Sequence, residues 1–362
     1  MAASPEPTVY DLTREQIAEY LDGLPGYRVD QLWQGLYTDG VDLADISTLP
    51  AKLRSELSEK LPAALELNTE SVSDRGDTVK WLWDLRGGAA VETVLMHYRD
   101  RSTVCISSQA GCAMACGFCA TGQAGFERHL SVGEIVEQVI RARRVAGEKR
   151  VSNIVFMGMG EPMANFDPVW GAVERLHGDF GIGARHLTIS TVGLIPGIRQ
   201  LAEAPLPVNL AVSLHAANDT LRDEMVPINK RYPISDLLDA CHDYFDKKGR
   251  RVSFEWALID GVNDRDSDAH ELAALTHPLR AHVNLIPLNP TPGYLTQGTP
   301  PARVREFADL LIGLGVNATV RRNRGTDIDA ACGQLRANSI SAEAATTPTV
   351  TKINAPTHRN SR

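Results

Sequence analysis

Cys112-Ala-Met-Ala-Cys116-Gly-Phe-Cys119 is the stretch that decides how this 362-residue chain is organised. Three thiolates on one short loop can hold three irons of a four-iron cluster and leave the fourth without a protein ligand. A four-cysteine cage suits electron transfer; a cage one ligand short leaves a metal position open to a small molecule. Zinc would want four ligands, usually two C-x2-C pairs or cysteines plus histidines. No second pair exists here, and His129 lies beyond the loop. A disulfide framework fits less well, because six cysteines are sparse in this length. The beginning MAASPEPTVYDL lacks the basic start and apolar core of a secretory signal. No run of about 18 apolar residues is present, so no membrane span is expected. The thiols are expected in a reducing cytoplasm.

Composition is that of an ordinary globular protein, with 43% hydrophobic and 23% charged residues. A net charge of −8 argues against a nucleic-acid partner, but the charge is unevenly placed. Residues 1–90 hold 16 Asp/Glu against 8 Lys/Arg, so the remainder is neutral overall. Within that remainder lie basic clusters at Arg141, Arg143, Arg144, Lys149 and Arg150, at Lys247, Lys248, Arg250 and Arg251, and at Arg321, Arg322 and Arg324. Such clusters are either solvated ends of elements or phosphate contacts.

Outward from the loop, the pattern divides. Thr13 with Gln16 makes a capping box before Ile17, Tyr20 and Leu21. Val29, Leu32, Trp33 and Leu36 share a helical face, and Leu53, Leu57 and Leu61 repeat after Pro50. Residues 1–75 are therefore expected to be a small helical domain. Val79, Trp81, Trp83 and Leu85 alternate with polar residues, and Gly87-Gly88 leads into Val91–Tyr98, which predicts a hairpin within 76–102. From 103 to 338 strands and helices alternate. Strands are expected at 103–107, 153–157, 186–190, 208–214, 252–258, 282–286 and 317–321. Ser131 with Glu134 caps one intervening helix, and 233–248 is another. The fold class is α/β, a barrel or open partial barrel of parallel strands with crossover helices. Residues 339–362, rich in Ala, Thr, Ser and Pro, are expected to be a disordered tail.

In such barrels the working residues gather where strands end. The strand ending at Met157 runs into Gly158-Met-Gly160-Glu161-Pro162. Its glycines allow close backbone approach, and its carboxylate can hold an ammonium group. Ser190, Ser213 and Asn289 fall at later strand ends, where such residues are otherwise common turn formers. Cys241 lies among apolar residues of a helix and is read as a buried small hydrophobe. Cys105 precedes the loop and Cys332 follows the last strand. They are two inert core thiols, or a pair that meets at the barrel mouth and cycles between free and disulfide-bonded forms.

The C-x3-C-x2-C spacing with Phe118 resembles the radical S-adenosylmethionine (SAM) superfamily, which implies a partial (β/α)6 radical SAM barrel. Further blocks narrow the resemblance: Val91-Glu92-Thr93, Gly158–Pro162, Ser190-Thr-Val-Gly, Ser213-Leu-His215, Ile286-Pro-Leu-Asn289-Pro and Ala331-Cys332-Gly-Gln-Leu. Over residues 10–338 the chain resembles RlmN-type RNA adenine-C2 methyltransferases. The resemblance implies one [4Fe-4S] cluster on Cys112, Cys116 and Cys119, with an open iron for SAM. It implies SAM contacts from Gly160, Glu161, Ser190, Ser213, Leu214, His215 and Asn289. Its substrates would be an adenine in the peptidyl-transferase centre of 23S rRNA and the adenine beside the tRNA anticodon, in a cytoplasmic monomer.

Carbon 2 of adenine is electron-poor and no nucleophile, so direct attack on a sulfonium methyl is implausible. The resemblance implies a route consuming two SAM. Cys332 first takes a methyl group. A 5′-deoxyadenosyl radical from a second SAM then removes hydrogen from it, and the sulfur-bound methylene radical adds to the ring. Glu92 takes the ring proton. Cys105 then attacks Cys332 and releases the RNA, leaving a disulfide. An external one-electron donor and a thiol reductant would complete the cycle. An unpaired adenine is the cheapest to draw into such a pocket. Two alternatives stay open: a sibling methylating carbon 8 of the same rRNA adenine, a resistance activity, and a non-catalytic iron–sulfur RNA sensor. The N-terminal module and the setting of Glu92 favour carbon 2; Gly160-Glu161 and Cys332 speak against the sensor.

Overall fold

A computed structural model describes residues 7–147, 149–291 and 293–335. The expected tail at 339–362 lies outside these described residues. Three helices open the chain: α1 (Arg14–Tyr20), α2 (Tyr27–Trp33) and α3 (Ala51–Lys60). Thr13 caps α1 with the reciprocal Gln16 bond that the sequence predicts. The chain continues from α2 into a π-helical turn, Gln34–Asp39, and stops at Gly40, whose φ of 65° suits glycine. Ile17, Leu32, Leu36 and Leu61 are all fully buried and hold the helices together.

Next come β1 (Leu65–Ser73), β2 (Thr78–Leu85), β3 (Ala90–His97), β4 (Ser102–Cys105), β5 (Gln109–Gly111), α4 (Ala120–Ala124) and β6 (Phe126–His129). The barrel continues through α5 (Val132–Ala146), β7 (Val151–Phe156), α6 (Phe166–Gly178), β8 (Leu187–Thr191), α7 (Ile195–Glu203) and β9 (Asn209–Ser213). It finishes with α8 (Asp219–Met225), α9 (Ile234–Lys248), β10 (Ser253–Leu258), α10 (Asp266–Thr276), β11 (His282–Pro287), α11 (Pro301–Gly313) and β12 (Asn317–Val320).

One sheet of ten strands runs β1-β2-β3-β4-β7-β8-β9-β10-β11-β12. From β4 to β12 every neighbouring pair is parallel, so six crossovers join seven strands. This is the α/β arrangement expected from the alternating pattern, a parallel-rich sheet with crossover helices on its outside. Trp256 and Phe254 on β10 are fully buried, as is Phe307 on α11, which stacks on Trp256 at 6.4 Å. Each such side chain contributes about 2 kcal/mol by leaving water.

The hairpin β2–β3 forms as predicted, with Trp83 opposite Val91. It is no free-standing linker, because β3 pairs with β4 and joins the barrel sheet. The helical expectation for residues up to 75 fails at β1, which pairs antiparallel with β2. Its sequence, LELNTESVS, is exposed at most positions and carries no apolar period. Tertiary partners fix it instead: Trp81 Nε1 donates to Glu70 at 2.7 Å and Asn68 to Asp84 at 2.9 Å.

The basic clusters also find a different use. Arg141 and Arg144 pair with Asp42 at 3.5 and 2.8 Å, and Arg143 donates to the Tyr37 carbonyl at 3.1 Å. They clamp the N-terminal helices onto α5. Lys247 pairs with Glu203 and Lys248 donates to the Ala204 carbonyl, which ties α9 to the end of α7.

Candidate active site

The three-cysteine loop hangs between β5 and β6, a two-stranded ladder of its own. Gly111 is required where the two meet: its φ is 70°, and a Cβ there would lie 2.0 Å from the Gly125 carbonyl. Cys112 N–H donates to that same carbonyl at 2.7 Å, and Cys119 N–H donates to the Cys116 carbonyl at 3.1 Å. Helix α4 begins directly after Cys119, and its Gly122 sits so close to Cys116 that a Cβ would meet the Cys116 carbonyl at 2.9 Å. Cys112, Cys116 and Cys119 consequently line one cavity, as do Gly160, Glu161 and Cys332.

Burial pushes the Cys112 thiol up to about 12 and Cys116 well above its ordinary value. Such thiols shed their protons only to a metal. Among the described residues no three Cys, His, Asp or Glu side chains are grouped to hold a metal ion. Thiolates on one zinc would sit about 4 Å apart, given Zn–S bonds of about 2.3 Å. Three thiols spread over one cavity wall suit a polynuclear cluster better than a single ion.

Glu161 is buried, with 2% exposure, at the end of β7. Its Oε1 accepts from Met163 N–H at 3.0 Å and its Oε2 from Val192 N–H at 2.8 Å. Burial nevertheless raises its pKa to about 7, so a cation arriving in the cavity would be welcome. Gln109, which sequence reasoning passed over, orients the turn by accepting from Glu161 N–H at 2.8 Å. The glycines here serve packing: a Cβ on Gly158 would meet the Ile106 carbonyl at 2.7 Å, and one on Gly160 would meet Gln109 at 2.5 Å.

Later strand ends complete the wall. Ser190, Ser213, His215 and Asn289 line the cavity; Leu214 does not. Leu214 is fully buried in the core, its N–H donates to the Glu255 carbonyl, and its own carbonyl accepts from Arg222. In this structure Leu214 lies off the cavity wall. His215 accepts from Ala257 N–H through Nδ1 at 2.9 Å, and burial drives its pKa down to about 3. It is a neutral imidazole whose proton sits on Nε2. Its φ of 59° and its 4.9 Å edge contact with Phe118 tie this strand end to the cysteine loop. Asn289 donates to the Cys332 carbonyl at 3.0 Å and accepts from Asn323 at 2.6 Å, so its side chain holds protein rather than standing free.

Cys332 is exposed, on the cavity wall. Its segment is pinned to the helix that follows the loop: Ala120 N–H donates to the Gly333 carbonyl at 2.8 Å and Thr121 Oγ1 to the Leu335 carbonyl at 2.7 Å. Cys105 is buried at the end of β4 and off the cavity wall. Burial pushes its thiol up to about 12, and negative charge on Cys332 pushes in the same direction, so the two sulfurs lie within each other's field. Arg321 opposes this at both thiols. It lines the cavity and pairs with buried Glu255 at 3.5 Å. Composition had placed Arg321 in a basic cluster; its position one residue past β12, at a strand end, was the signal for a site residue. Glu92 is also buried and off the cavity wall, paired with Lys80 at 2.9 Å. Lys80 in turn donates to the Asp329 carbonyl at 3.3 Å, in the segment that carries Cys332. Cys241 is fully buried, the small hydrophobe expected.

Residues 106–273 match the Radical SAM superfamily. The whole fold superposes on the crystal structure of a radical SAM methyltransferase from Sphaerobacter thermophilus with a TM-score of 0.89. That match has 49% identity and covers 91% of this chain and 99% of the other. Fold and site together define a radical SAM methyltransferase. A probable dual-specificity RNA methyltransferase RlmN of Chloroflexus aurantiacus is 50% identical over 345 residues, spanning 90% of this chain and 92% of the relative. Dual-specificity RNA methyltransferase RlmN 1 of Myxococcus xanthus is 46% identical, spanning 93% and 96%. The chain belongs to the RlmN family of dual-specificity RNA methyltransferases. It is a transferase acting on RNA, and membership implies a [4Fe-4S] cluster and SAM. Among the described residues no helix is long and apolar enough to cross a membrane.

Proposed function

We propose that this chain methylates carbon 2 of an adenine in the peptidyl-transferase centre of 23S rRNA and of the adenine beside the anticodon in tRNA. The observation that carries this reading is the convergence of Cys332, the three loop cysteines and Glu161 on one cavity. Cys112, Cys116 and Cys119 would hold the cluster, and Glu161 the ammonium of SAM. The neutral His215, Ser190 and Ser213 offer polar groups for the rest of that molecule. Bound together, cluster and SAM supply one-electron cleavage of a sulfonium, the chemistry an unreactive aromatic carbon demands.

The chain's own residues then divide the remaining work. Cys332 accepts a methyl group on sulfur; burial raises its thiol, and the Arg321 cation opposes that rise in favour of the thiolate this displacement needs. Glu92 serves as proton acceptor, and its carboxylate is paired with the Lys80 ammonium at 2.9 Å. It lies on the Cys105 side: Ser107 Oγ donates to the Glu92 carbonyl at 2.6 Å, and β3 pairs Val94 with Cys105. Cys105 then attacks the Cys332 sulfur, forms a disulfide and frees the methylated RNA, and an external thiol reopens the pair.

Reconstituted protein incubated anaerobically with SAM, a one-electron donor and rRNA or tRNA tests the reading by mass spectrometry of the nucleosides. It predicts 2-methyladenosine from both RNAs. A purely 8-methyl product, or none with intact cluster and SAM binding, contradicts it.

A further inference from the structure

Arg222 on α8 is fully buried, and among the described residues no carboxylate is paired with it. Its Nε donates to the Leu214 carbonyl at 3.0 Å and its Nη1 to Asn229 Oδ1 at 2.7 Å. Its Nη2 donates to the carbonyls of Val192 at 2.6 Å and Ser213 at 3.2 Å. All four acceptors are neutral. The nearest acids, Asp219 and Asp223, stand one residue behind, both accepting from Asn229 Nδ2 at 2.9 and 2.6 Å. A guanidinium does not discharge at physiological pH, and burying it without an anion is costly.

The missing anion has a place in the structure. Val192 and Ser213, whose carbonyls Arg222 holds, line the cavity shared with the cysteine loop. The flanking α8 side chains Leu221 and Met225 belong to one apolar cluster with Cys116. The guanidinium thus lies behind the Val192 and Ser213 part of the cavity that Cys116 also lines, and each group feels the charge of the other.

We propose that Arg222 is the fixed counter-charge of the iron–sulfur cluster, stabilising its reduced form and so raising its reduction potential. This rests on the reading of Cys112, Cys116 and Cys119 as the cluster's ligands. A cluster held by three thiolates becomes more negative when it takes an electron, and a cation screened only by protein favours that state. Arg222 is a positioning residue as well, since its bonds fix the ends of β8 and β9. The two roles separate experimentally, because lysine keeps the charge and loses most of the bonds.

The test is an EPR-monitored redox titration of the full-length reconstituted protein and its variants. In Arg222→Gln the ratio of reduced to oxidised cluster at a fixed potential should fall about tenfold, equivalent to about 59 mV for one electron. Arg222→Lys should stay within about twofold of the native ratio. An unchanged ratio in Arg222→Gln at full iron content, or equal shifts in Gln and Lys, overturns the proposal. Should Arg222→Gln fail to fold, Asp223→Asn removes a negative charge beside the guanidinium while leaving it in place. That variant should raise the ratio about twofold, and no rise overturns the proposal. A native protein that binds no cluster would instead refute the ligand reading beneath it.

Discussion

The cavity has two walls built from the same residue, and cysteine does opposite things on them. On the loop wall, Cys112 and Cys116 are pushed to high pKa chiefly by burial, and the neighbouring cysteines and Glu161 push in the same direction. At Cys332 burial raises the thiol too, but the Arg321 cation opposes that rise. Under the proposed reading the first setting serves a metal and the second a nucleophile. Residue type supplies the sulfur, and the neighbouring charge decides its chemistry.

The largest expected effects separate the walls outright. Alanine at Cys112, Cys116 or Cys119 should abolish cluster binding, read as loss of about four irons per chain and of visible absorbance. Cys332→Ala should keep its iron and lose RNA methylation below detection. If a loop variant kept full iron, or Cys332→Ala kept methylation, the division of labour would fail.

Next in size is the support around Cys332 and Glu92. Lys80→Met takes the cation from buried Glu92, and should cost about 3 kcal/mol of stability in denaturant unfolding. A loss under about 0.5 kcal/mol would show the pair to be idle. Arg321→Met should slow alkylation of Cys332 at mildly basic pH about tenfold, by raising its thiol further. Equal rates would leave the Cys332 thiol to its burial alone.

The smallest effect concerns pH. Glu161 titrates at about 7, raised by burial, and an ammonium ligand needs its ionised form. SAM affinity should therefore be steady above pH 7 and weaken as pH falls below it, approaching about tenfold per unit. Equilibrium dialysis across that range checks it; affinity that rises on acidification would remove Glu161 from the ammonium site.

How much of this was legible in the sequence differs by wall. The common place of the loop, Gly160-Glu161 and the strand-end serines on one cavity was readable, because local spacing and strand periodicity put them at loop and strand ends. Capping boxes at Thr13 and Ser131 were legible for the same reason. β1 was not, since its polar residues find partners only across the sheet, as Glu70 does with Trp81. Arg222 was invisible, because an arginine in the last turn of a short helix normally faces solvent. Arg141, Arg143 and Arg144 could be counted but not assigned, because their acceptors, Asp42 and the Tyr37 and Gly40 carbonyls, lie about a hundred residues away.

One measurement joins the two walls. Cys105→Ala, reconstituted and supplied with SAM, reductant and substrate RNA, should stall with RNA covalently attached. Peptide mapping should find the nucleotide joined through a single carbon to Cys332. Free methylated RNA at native turnover from that variant, or an adduct on any other residue, would contradict the account.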